Sequence, residues 1–198
     1  MPDNDPVKQV MDKLELVAEH STEGDTLRIA YKLTNHAGIP VLTYDPAAGD
    51  PKQPWPALDE AVYISVEEPD KVHLKRVVAP VPKSANVTTL SLPPVRRLDP
   101  AKSRTARFSL KLPLRERSEY FRHHDKAPYK DAKAKVLFLW IGFIPLVDGM
   151  KLKPVAPGAE VFRIGGSYAP PEQLFAKWET DCSLKCKVRT DDDSFERV

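Results

Sequence analysis

The sequence predicts an all-β protein, an antiparallel sandwich with one or two short helices. Three observations carry this. Pro is frequent and Gly is not, 20 residues against 8. Pro cannot donate to a central ladder and breaks helix interiors, so many short elements between stiff loops are expected. Two stretches, "LRIAYKLTN" (27–35) and "RTARFSLKLPL" (104–114), alternate apolar and polar residues with period two. A third, "AKVLFLWIGFIP" (134–145), is continuously apolar and rich in β-formers, as in a strand covered on both faces.

Taken in order, Asp5-Pro6 reads as the N-cap and first position of one helical turn. Residues 13–19 and 26–35 read as two strands joined by the turn "STEGD", with Leu27, Ile29, Tyr31 and Leu33 facing in. "VLTYD" (41–45) is a short edge strand, and 46–59, with four Pro, is a loop. Strands follow at 61–68 and 71–78, then shorter ones at 87–92 and 95–98. "DPAK" (99–102) is a turn. Strand 104–114 places Ala106, Phe108, Leu110 and Leu112 inward. Residues 115–135 form a long, basic, polar insertion with a helical turn expected near 116–124. After the central strand, 159–165 is another strand. "PPEQLFAKWE" (170–179) reads as a short helix, with Leu174, Phe175 and Trp178 a turn apart. "SLKCKVR" (183–189) is a last strand, and 190–198 a frayed acidic tail. The whole of 1–198 is expected to be one domain.

The net charge of +2 does not describe a polyanion binder, and no sequence-specific nucleic-acid contact is expected. Its distribution is uneven: −5 over 1–95, +8 over 96–135 and −1 over 136–198. A solvated basic face is the ordinary reading of the middle block, and an acidic partner the functional one. The longest apolar run, 136–147, is too short to span a membrane and contains Pro145. The N-terminus lacks a basic segment followed by an apolar one. The chain as given is therefore expected in the cytoplasm, or in the periplasm or cell envelope if a signal has been removed.

Few residues suggest chemistry. Cys182 and Cys186 are four apart, about 13 Å in an extended strand. A disulfide cannot reach that far, so bridging needs a turn at "SLK". A bridge, two free thiols and a metal-binding pair all remain open. His123-His124-Asp125 is the only His cluster, and adjacent strand residues point to opposite faces, which makes a poor chelate. Asn86-Val87-Thr88 matches a glycosylation acceptor, a pattern common by chance. Trp55, held extended in "PWP", is either a lid on the sandwich or an exposed anchor. Trp140 reads as core, and Trp178 as packing a helix onto the sheet.

Leu33, Asn35, Pro40 and Val41 in "LRIAYKLTNHAGIPV" (27–41) match a pattern of bacterial Ig-like sandwiches. The chain resembles, over about a third of its length, the intracellular proteinase inhibitor family. The turn and strand in "RRLDPAKSRTARFSLKLPL" (96–114) look similar to an element of such domains. The resemblance implies an Ig-like fold and a binding role, with no inhibitory residue to map. Asn tolerates the turn conformation and bonds its own backbone, and Pro ends the ladder.

The expected function is that of a non-catalytic binding module with a protein or acidic polymer as partner and no cofactor. Its expected surfaces are Trp55 and the insertion with Arg115, Arg117, Arg122, His123 and His124. The alternative is a hydrolase or metal-dependent enzyme using the His123-His124 region. The sequence sets no oligomeric state.

Overall fold

A computed structural model describes residues 5–45, 62–67, 70–78, 92–118, 128–157, 159–165 and 173–190. Trp55, Asn86, Arg122, His123, His124 and the tail from 191 lie outside the described residues.

The chain begins with α1 (Pro6–Val10), capped by the Asp5 carboxylate, which accepts from Val7 N–H at 3.0 Å. The strands are β1 (Leu14–Glu23), β2 (Thr26–Asn35), β3 (Val41–Thr43), β4 (Tyr63–Glu67), β5 (Lys71–Arg76), β6 (Val95–Leu98), β7 (Ser103–Lys111), β8 (Leu114–Arg115), β9 (Tyr129–Pro145), β10 (Lys151–Pro154), β11 (Val161–Gly165) and β12 (Leu174–Arg189). The small sheet has the order β1-β2-β7, all antiparallel. The large sheet runs β10-β11-β6-β3-β9-β12-β8. The β4–β5 hairpin joins it through a parallel β5–β9 pairing.

Alternation decides which side chains meet between the sheets. Leu27, Ile29, Tyr31, Leu33, Ala106, Phe108 and Leu110 from the small sheet pack on Val72, Leu74, Leu137, Leu139, Ile141 and Ala176 from the large one. All are buried. A second apolar cluster, Leu42, Tyr44, Val95 and Ile144 with Phe162 and Ile164, packs around the β3, β6 and β11 end. Strand β9 thus carries apolar residues on both faces, as its continuous run predicts.

Turn chemistry closes the connections. Gly24 takes φ +59° between β1 and β2, a conformation that costs an L-residue. Asn35, fully buried, accepts from Ala37 N–H at 2.8 Å and donates to the carbonyls of Ile39 and Leu98, each at 3.0 Å. It bonds its own turn, as expected, and also ties that turn to β6.

Several expectations differ from the structure. The 41–45 segment is not an edge strand: β3 lies between β6 and β9 and pairs with both. Residues 174–179 are strand, not helix, because β12 pairs with the long edge of β9 from Phe143 to Leu137. Leu174, Ala176 and Trp178 then point inward, and the tertiary ladder outweighs helical spacing. Residues 115–135 are not one exposed loop. Lys130, Asp131, Ala132, Lys133, Ala134 and Lys135 extend β9, with Ala134 buried against the core. Nor are 116–118 helical: Arg117 forms an antiparallel bridge with Ile64.

Candidate functional site

The outer face of the large sheet, away from the small one, gathers several aromatic and titratable side chains. Cross-strand register sets out its rows. Lys177, Trp140, Lys75 and Tyr63 lie side by side across β12, β9, β5 and β4. The next row is Glu179, Phe138, His73 and Ser65, and beyond it lie Asp181, Val136, Lys71 and Glu67. Trp140 belongs to this face and is only half-buried, contrary to its reading as core.

The rings stand against one another. His73 stacks on Phe138 with centroids 4.5 Å apart, and Lys177 Nζ sits 4.5 Å over the Phe138 ring. Phe175 meets Trp140 edge to face at 5.8 Å and is 49% exposed. Trp140 Nε1 donates to His73 Nδ1 at 3.0 Å. In neutral His73 the remaining proton is then on Nε2, 3.6 Å from Glu67 Oε2. Burial pushes the His73 pKa down to about 4, with Glu67 pulling the other way and Lys75, Lys177 and Lys71 reinforcing the fall. Burial would raise Glu67, but bonds from Lys75 Nζ at 2.5 Å and Ser65 Oγ at 2.9 Å outweigh it and hold it below the usual range. This ladder can bind and orient. His73 is not set up as a base in it, because its Nδ1 lone pair is engaged by Trp140.

Gly142 lies beside Trp140 on the same face. A Cβ there would come within 2.6 Å of Gln173 Oε1, which accepts from Val78 N–H at 2.7 Å. The glycine leaves room for that crossing.

The small sheet's outer face carries a shallow trough of about 320 Å³, lined by Val17, Glu19, Ala30, Lys32, Thr105 and Arg107 among others. Its floor is open because Ala30 is small.

Of the residues expected to bind, only Arg115 and Arg117 are described. Arg115 is exposed and lies 5.9 Å over Tyr129. Arg117 donates from Nε to the Val62 carbonyl at 2.8 Å. Between them Glu116 is buried: its carboxylate accepts from Val66 N–H at 3.2 Å and Arg189 N–H at 2.8 Å, tying β4 to β12. Cys182 and Cys186 are free thiols in a strand, with a register shift between Asp181 and Leu184. Burial pushes Cys186 up to about 11 and Cys182 above its usual value, so both are poor nucleophiles. Among the described residues no three His, Cys, Asp or Glu gather as metal ligands, and no helix is long and apolar enough to cross a membrane.

The Phe175–Trp140–Lys177–His73 face was not singled out from the sequence. Its signal was present in "LFAKWE" and "LFLWIG", once both are read as paired strands. Neither family models, curated proteins nor solved structures match this chain.

Proposed function

We propose that the chain is a non-catalytic binding module of Ig-like sandwich type and takes a protein partner on the outer face of its large sheet. The observation that carries this is Phe175, half-exposed beside Trp140 and Lys177 on strands held by long regular pairing. Aromatic residues anchored on a rigid surface are the usual centre of a protein interface. The charges favour a protein over an acidic polymer. Lys71, Lys75 and Lys177 are offset on the same face by Glu67, Glu179 and Asp181. The resemblance of 27–41 to bacterial Ig-like domains supports the same reading.

The test is affinity capture with the full chain and a Phe175→Ser variant. Phe175 is exposed, so its melting temperature should barely change. A protein held by the parent and lost from the variant, with slowed amide exchange on β9 and β12 in the complex, supports the reading. A partner held equally by both moves the interface elsewhere.

A further inference from the structure

Strand β12 pairs with β9 along its length, and on its other side its one ladder partner among the described residues is β8, at Cys186 and Lys187. From Leu174 to Asp181 that second edge has no partner strand among the described residues. The phase of its backbone follows from β9. Tyr44 N–H donates to the Gly142 carbonyl at 2.8 Å, and Leu146 N–H to that of Pro40 at 2.9 Å. From Val136 onward, even-numbered residues of β9 therefore turn their backbone groups toward β3, and odd-numbered ones toward β12. Ile141 faces Ala176 and Leu139 faces Trp178. It follows that Phe175, Lys177, Glu179 and Asp181 direct their N–H and C=O groups to the open edge.

An edge of this kind is a template for another strand, and proteins commonly blunt it with Lys and other charged side chains, Pro or bulges. Here the ladder is regular until the shift between Asp181 and Leu184. We propose that two copies of this chain associate edge to edge through β12, antiparallel about Trp178. In that register Lys177 of each copy lies opposite Glu179 of the other, and Phe175 opposite Asp181. Both pairs use residues whose backbone groups point outward, so the ladder can close. Shifting by one hydrogen-bonded step either way sets Lys177 against itself or Glu179 against itself, and like charges directly opposite are destabilising. The charges therefore select one register. On the inner face the two Trp178 side chains, each only partly buried, would cover one another. The dimer joins two large sheets into one and does not rest on the partner-binding reading above.

Sedimentation equilibrium of the full chain tests this, with melting curves as a control for folding. The parent should show a monomer–dimer equilibrium. Lys177→Glu and Glu179→Lys should each weaken it roughly tenfold or more. The double variant Lys177→Glu/Glu179→Lys should restore it, and an equimolar mixture of the two single variants should form a heterodimer. Amide exchange of Phe175, Lys177, Glu179 and Asp181 in the parent should slow as concentration rises, which keeps the parent alone decisive. A parent that stays monomeric, or a dimer indifferent to both single reversals, overturns the proposal.

Discussion

His73 shows how one side chain's surroundings set its chemistry. It is wedged between Phe138, Trp140 and the Glu67 carboxylate. With its folded pKa near 4 against about 6.5 when unfolded, the unfolded chain binds the extra proton between those values. Folding stability should therefore fall as pH drops from about 6.5 toward 4 and level off below. Glu67, held low in the folded state, acts in the same direction at lower pH: its contribution is lost as pH falls through its folded value. His73→Phe keeps a stacked ring and removes the first effect. Melting temperatures from pH 4 to 7 should show a shallower fall for the variant, and an unchanged pH slope would rule His73 out as its source. Glu116 is a different case at this scale. It reads as one more charge in a polar stretch, yet it is buried and satisfies two backbone donors.

Among the elements, β9 and β12 set the geometry of the large sheet. Their contact near Gly142 depends on a missing side chain. Gly142→Ala would drive Gln173 off Val78 N–H, a loss of about 0.5–1.5 kcal/mol if water replaces the bond. Chemical denaturation should show that shift, and Gln173→Ala should cost a similar amount. Combining the two should then be far from additive, because both remove the same bond. Additive losses would mean that Gly142 matters for another reason. The β12 strand itself was legible only in part. "LFAKWE" satisfies helical and strand spacing alike, and "SLKCKVR" appeared separate because the register shift at Asp181/Leu184 interrupts the alternation.

Across the whole molecule, an ion cluster joins the two sheets. Asp45, following β3, is fully buried between Arg76 Nη1 at 3.2 Å and Arg104 Nη2 at 3.1 Å. Arg104 belongs to the small sheet and Arg76 to the large one, with the Arg76 guanidinium 4.7 Å over Phe108. Burial first, and then the Asp45 charge, hold the Tyr31 phenol well above its usual range. Asp45→Asn would take the Asp45 charge away from both guanidinium groups. A loss of about 3–5 kcal/mol is expected, as for other broken buried pairs. Urea unfolding checks it, and a loss below about 1 kcal/mol would mean that solvent or rearrangement compensates.

The strand class, the inward faces of β2 and β7 and the burial of β9 were all in the sequence by itself. Those features rest on local periodicity and on Pro, which act without regard to distant residues. The ends of β9 show the limit. Lys130–Lys135 looked like solvated basic chain because Ala132 and Ala134 are weak apolar signals, and they become strand only where β12 lies alongside. The outer aromatic face, the Asp45 cluster and the open edge of β12 were decided by the tertiary structure. Each is a juxtaposition of residues far apart in the chain: Asp45 with Arg104, and His73 with Trp140. Pairing partners and register bring them together, and no local pattern in the sequence encodes that choice.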